Sequence, residues 1–270
     1  MARLRDYAKF FQGEVNETNE REKGSLLSKG NGGKLVTRGA CICLYVTRPA
    51  SQGTDLYVDV DRFLRGKGRE TKAYHHRYRR IGLQESCPQN NFRRIIASLI
   101  AEGEFCNHKV NYLPEHTCKL PLEFVLGVLN SKLSDWYFRL GSTNAAVSHY
   151  QLYNLPCPVL ADRETQADNR VRKLALSAIG SESMDDAFNG LKPGLAQPPF
   201  SLVVRDAIVL LVQRILEAEK ARGEIPRVDR SALCPEAQRC QGLLDRIMYA
   251  MAGLTDEEAE GLEERLSKML

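Results

Sequence analysis

The stretch RFLRGKGRETKAYHHRYRRIGLQESCPQNNFRR, Arg62–Arg94, organises the reading of this chain. Its first part, Arg62–Arg80, sets eight Lys/Arg (62, 65, 67, 69, 72, 77, 79 and 80) against one acid, Glu70. Tyr74, His75, His76 and Tyr78 are interleaved. Its second part, Gln84 through Asn91, is rich in carboxamides. Arg80–Gln84 between them reads as a strand that enters an amide-rich turn. Arginine grips phosphate, and Asn and Gln can read base edges, so this order of residue types fits a polyanionic partner. The plainer reading is a solvated surface loop, with Asn90 or Asn91 capping a helix that follows. Capping does not account for Arg93 and Arg94, because the dipole of a helix disfavours cations in its first turn.

Working outward, Lys34–Thr47 and Asp55–Val60 have the alternation of strands. Asn91–Ala101 switches to helical spacing through Phe92, Ile95, Ile96, Leu99 and Ile100. Phe105–Leu113 returns to alternation. Pro121 opens an expected helix to about Leu140, and Ser148–Leu160, with Pro156 and Pro158, reads as extended. Further helices are expected near 168–180, 201–222, 235–252 and 255–269, the last with a Thr255-x-x-Glu258 capping box. Residues 184–200 hold three prolines and read as a loop. Strands in front and helices behind give an α+β fold, with a lead and polar loop over 1–33, a mixed β/α domain over 34–160 and a helical region over 161–270.

The 270 residues carry a net charge of +4. Residues 1–120 hold 21 Lys/Arg against 13 Asp/Glu, whereas 121–270 hold 17 against 21. A basic front and an acidic back place any polyanion at one end. Eight scattered cysteines and a charged amino terminus fit reduced thiols in the cytoplasm. The longest apolar run, Ala207–Val212, is too short for a membrane span.

Other chemistries are thin. Cys106-x-His108 and His116-x-Cys118 could supply four ligands to zinc, although structural zinc sites favour wider spacing. Asp59 and Asp61 share a face of the expected strand, but no further motif of a metal-dependent nuclease follows. Gln197-Pro-Pro-Phe200 departs from the Asn/Asp-Pro-Pro-Tyr/Phe motif of amino methyltransferases at its first residue and lacks a glycine-rich cofactor loop upstream. It reads as a turn.

Several segments occur in a familiar order: Gly13-Glu14-Val15-Asn16-Glu17-Thr18-Asn19, Arg38-Gly39-Ala40-Cys41-Ile42, Leu83 through Ala97, Asn107-His108-Lys109-Val110-Asn111-Tyr112, Leu129 through Leu133, and Asn154-Leu155-Pro156-Cys157-Pro158. The series, over roughly residues 10–160, resembles the TaqI-like C-terminal specificity domain of adenine-specific DNA methyltransferases and fused restriction-modification enzymes. The resemblance implies a module that recognises double-stranded DNA and has no catalytic residues of its own. S-adenosylmethionine would then be bound by a partner, such as a methyltransferase subunit. DNA-contacting residues are expected among Arg38, His75, His76, Arg77, Arg79, Arg80, Gln84, Gln89, Asn90, Asn91, Arg93, Arg94, Asn107, His108, Lys109, Asn111 and Tyr112, gathered on one concave surface. The alternative is a non-catalytic interaction protein that docks such a partner.

Overall fold

The computed structural model describes residues 1–27, 32–49, 55–142, 144–164, 166–223 and 231–269. Its strands are β1 (Ala2–Arg3), β2 (Phe11–Gln12), β3 (Leu26–Leu27), β4 (Lys34–Thr37), β5 (Tyr45–Val46), β6 (Tyr57–Val58), β7 (Arg80–Gln84), β8 (Ala97–Ile100), β9 (Phe105–Cys106), β10 (Val110–Pro114) and β11 (Pro156–Cys157). The helices are α1 (Glu17–Glu22), α2 (Val60–Leu64), α3 (Leu122–Asn130), α4 (Lys132–Gly141), α5 (His149–Asn154), α6 (Gln166–Gly180), α7 (Met184–Leu195), α8 (Leu202–Ala221), α9 (Pro235–Ala252) and α10 (Asp256–Lys268). The fold is α+β.

The central sheet has the order β2-β10-β7-β8-β5, antiparallel except for the β5–β8 pair. A second sheet, β3-β6-β4-β9, forms a lobe with its own small core of Val15, Val36, Leu56, Val58, Phe63, Ala73 and Phe105. The large core runs from Leu4 to Leu266 and takes in the central sheet and the C-terminal helices together. Helix α3 lies in the middle of it, buried on all sides as a helix apolar all round must be. Gly127 is what lets it sit so close: a Cβ there would stand 2.9–3.0 Å from Ile208, Leu244 and Val212 of α8 and α9.

The long periodic segments fold as their spacing predicts. Helices α6, α8, α9 and α10 fall on the expected ranges, Gly253 ends α9 in the left-handed conformation at φ 77°, and the Thr255–Glu258 capping box forms. Strand β7 occupies the expected Arg80–Gln84.

Other expectations are corrected. Asn91–Ala101 is not a helix. The Asp135 carboxylate accepts from the N–H of Arg94 (2.6 Å) and Ile95 (3.1 Å), and the Asn130 amide bridges both backbone groups of Ala97 at 3.0 and 2.9 Å. Those partners hold the chain extended, and Ala97–Ile100 then pairs with β7. The isoleucines at 95, 96 and 100 suit that conformation. The expected helix 121–140 is two helices, because Ser131 adopts extended dihedrals and caps the second. Ser148–Leu160 contains α5, started by a Ser148–Gln151 capping box. Residues 184–195 form α7, with Ala187, Leu191 and Leu195 buried one turn apart and Pro193 tolerated in the last turn. Lys34–Thr47 is broken by a 3-10 turn at Gly39–Cys41. Asp59 and Asp61 do not share a strand face: Asp59 caps α2, accepting from the N–H of Arg62 at 3.1 Å, and Asp61 lies in that helix's first turn. His108 and His116 flank the two ends of β10, about 13 Å of strand, so the two Cys/His pairs do not converge on one ion.

Candidate functional site

Strand β7 carries candidate residues at both ends, and the two ends differ. At its start Arg80 is wholly interior. Its Nη1 meets Glu14 Oε1 at 2.8 Å, with the two side chains 0% and 1% exposed, and its guanidinium stands 4.9 Å over the Tyr112 ring. Strand alternation turns this residue inward, and a buried arginine needs its counter-charge. Arg79 points the other way and forks to Glu115 (2.5 Å) and Glu123 (2.7 Å). The buried His75 meets the Tyr112 hydroxyl at 3.1 Å and packs edge-on against Phe11 and His116. Burial, together with His116, Arg80 and other nearby cations, pushes its pKa down to about 4. His76 is buried on the face of Phe105, 4.3 Å between centroids. Arg77 is exposed and lies over the Tyr74 ring.

Several of the residues expected to contact DNA lie in the interior. Arg80, Arg94, His75, His76, Asn107, Asn111 and Tyr112 are all buried. Each supports the frame. Asn107 donates to Glu17 Oε1 at 2.5 Å and accepts from the Lys109 N–H at 2.7 Å, which shapes the turn before β10. Asn111 donates to Val147 O at 2.7 Å.

At the far end of β7, about 13 Å along the strand, the surface opens. Gln84 is half-buried and donates to Ile42 O at 2.9 Å. It borders a cleft of about 340 Å³ whose walls include Ala40, Ile42, Pro88, Asn91 and Phe92. Two segments distant in sequence line it, the 3-10 turn after Arg38 and the amide-rich loop 84–92, and the turn Asn107–Lys109 packs against that loop, the Lys109 carbonyl accepting from the Glu85 N–H at 3.2 Å. Arg38 is forked onto Glu17 at 2.9 and 3.0 Å, and Lys109 Nζ lies 3.3 Å from Glu85. The rim is therefore close to neutral, and its hydrogen-bonding capacity lies in carboxamides and backbone.

The loop itself is rigidly held. Asn91 donates to Cys87 Sγ (2.9 Å) and Arg93 O (3.1 Å), while Arg139 donates to the carbonyls of Gln89 (2.9 Å) and Asn91 (2.8 Å). Gln89 and Asn90 are exposed at its tip. Arg93 is half-buried, its Nη1 buried with no hydrogen-bond partner among the described residues.

The basic run lies elsewhere, on the small lobe. Arg62 pairs with Asp59, Lys67 with Glu20, and Lys72 donates to Gln12 O at 2.9 Å. Arg65 and Arg69 are exposed with no acidic partner among the described residues. The expected single concave surface thus divides into the Gln84 rim, the loop tip and the lobe, with a closed interior at Arg80. Sequence reading missed Ala40, Ile42 and Phe92 as cleft walls, and Arg139 as the clamp. The turn signal at Cys87-Pro88 marked the loop, but nothing local marked Arg139.

No helix among the described residues is long and apolar enough to cross a membrane. No family model matches the sequence, and no curated protein matches it. Among solved structures, the fold is similar to the Type IIL restriction-modification enzyme MmeI, solved in complex with DNA, with a TM-score of 0.48 and 11% identity. That alignment covers 99% of this chain and 34% of the other, so the chain spans about a third of the enzyme's length.

Proposed function

We propose that this chain recognises double-stranded DNA in a sequence-selective way, as the target-recognition module of an adenine-specific DNA methyltransferase or restriction-modification system. One observation carries the reading. Two of the segments that resemble the TaqI-like specificity domain, Arg38–Ile42 and Leu83–Ala97, about forty positions apart, line one open cleft edged by Gln84 and Asn91. A neutral, carboxamide-lined edge can form hydrogen bonds with base edges without first breaking an ion pair. The exposed Arg65, Arg69 and Arg77 supply cations for backbone phosphates. Methyl transfer, with its S-adenosylmethionine, belongs in this reading to a methyltransferase partner.

Selection of bound duplexes from a random pool tests it. The wild-type chain should enrich a defined site. Gln84→Ala should relax the preference at one base pair, a loss of about 1–3 kcal/mol there. The pair Arg65→Ala and Arg69→Ala should weaken all duplexes alike and reduce the slope of log affinity against log salt by about 0.9 per lost contact. Absence of any preference would leave the second reading, a protein that docks a partner without reading DNA. The exposed Leu140 (62%) and Tyr150 (77%) beside a cleft of about 320 Å³ between α4 and α5 favour that alternative.

A further inference from the structure

The amide-rich loop borders a second hollow, of about 350 Å³, between Gln89, Asn90, Arg94, Arg139, Ser142 and Met269. Two guanidinium groups line it, and they are not equivalent. Arg139 is fully engaged, with Asp135 at 2.8 Å and the carbonyls of Gln89 and Asn91. Arg94 is 1% exposed, yet among the described residues its side-chain hydrogen bonds leave from Nη2, to Ser142 Oγ (3.1 Å) and Asn144 O (2.6 Å). Its Nε is buried with no hydrogen-bond partner among the described residues. Asp135 already accepts from Arg139 and from the N–H groups of Arg94 and Ile95. The carboxylate is thus ion-paired with Arg139, and it meets Arg94 through the backbone N–H and not the guanidinium. Burial, and then the charge of Arg139, make the Arg94 cation less favourable than an ordinary arginine, an effect that Cys87 and Asp135 only partly oppose. A buried guanidinium with spare donors is matched best by an oxyanion, which accepts in its own fork geometry.

We propose that this hollow takes a phosphate-class oxyanion against the guanidinium of Arg94, with Gln89 and Asn90 at its mouth. The volume exceeds that of a lone tetrahedral anion and leaves room for whatever carries it. If the carrier is the DNA backbone, the site rests on the function proposed above and places a phosphate contact on the same loop that edges the Gln84 cleft. If it is free phosphate, the site stands without that function.

The test uses the full chain and two probes, inorganic phosphate and a duplex. Phosphate should raise the thermal midpoint, saturably, over chloride at matched ionic strength. Asn90→Asp sets a carboxylate at the exposed mouth without touching the core, and should weaken phosphate about fivefold. The same variant should lower the duplex salt slope by about 0.9. Arg94→Gln should abolish both effects, and Asn90→Asp carries the test should that variant fail to fold. A phosphate effect with duplex binding absent or unchanged by Asn90→Asp assigns the hollow to free phosphate and withdraws its support from the DNA reading. A duplex effect alone assigns it to the backbone. If Asn90→Asp matches wild type with both probes, the oxyanion site is wrong.

Discussion

The start and the finish of β7 are four positions apart and chemically opposite. At Arg80 and Arg79 the chain spends strong cations on its own acids, Glu14, Glu115 and Glu123. At Gln84 it keeps neutral amides beside an open cleft. A run of arginines in a sequence is therefore not in itself a binding face. What decides is whether another segment brings a carboxylate to it. A paired, buried charge stays where it is because its removal from the partner is costly, whereas a half-buried amide can exchange a hydrogen bond for a ligand's without separating an ion pair.

The largest expected effect breaks the closed end. Arg80→Met leaves the Glu14 carboxylate buried and unpaired, and should cost about 3–5 kcal/mol in urea unfolding. Replacing both partners, Glu14→Leu with Arg80→Met, should recover most of that loss, since an apolar pair needs no counter-charge. A small loss in the single variant would mean that the start of β7 is as open to solvent as its finish.

Next comes the packing that holds the open end in place. A Cβ at Gly13 would lie 1.9 Å from the carbonyl oxygen of Asn107. Gly13→Ala should force β2 away from the turn Asn107–Lys109, at about 3 kcal/mol, the upper range for overpacking. Wild-type stability in this variant would show that the rim shifts freely and is not a preformed edge.

The smallest effect is a pH dependence from the closed end. His75 titrates at about 4 in the folded chain, chiefly through burial, against an ordinary value of 6.5. Above pH 6.5 it is neutral in both states, so it adds no slope. As pH falls below 6.5 the unfolded chain takes the proton first, and stability drops until about pH 4, where the folded chain takes it too. The buried His76 and the half-buried His149 are shifted the same way by burial. Thermal midpoints between pH 7 and pH 4.5 should decline in the wild type and decline less in His75→Gln. Equal slopes would place His75 in water and leave the two ends of β7 alike.

Much of this was legible in the sequence where a signal is local and repeated. The C-terminal helices show several turns of apolar spacing, and the Thr255 cap announces its own helix. β7 could be read because Arg80–Gln84 is short and ends in turn residues. Legibility failed where a distant side chain takes over the backbone. Ile95, Ile96 and Ile100 suit either a helix face or a strand, and Asp135 and Asn130, more than thirty positions away, decide for the strand. The site followed the same pattern. Gln84 and Asn91 were visible as residue types, but the fate of Arg80 turned on Glu14, sixty-six positions earlier. Charge composition reports how many cations there are and is silent on which of them meet an acid.

The way Arg139 secures the amide-rich loop has a bearing on how such a surface could diversify. It grasps main-chain oxygens of residues 89 and 91, and every amino acid has that oxygen. The outward side chains at 89 and 90 can therefore be exchanged while the loop keeps its course. A library randomised at those two positions should fold as a population, and would offer many different tips on one unchanged scaffold.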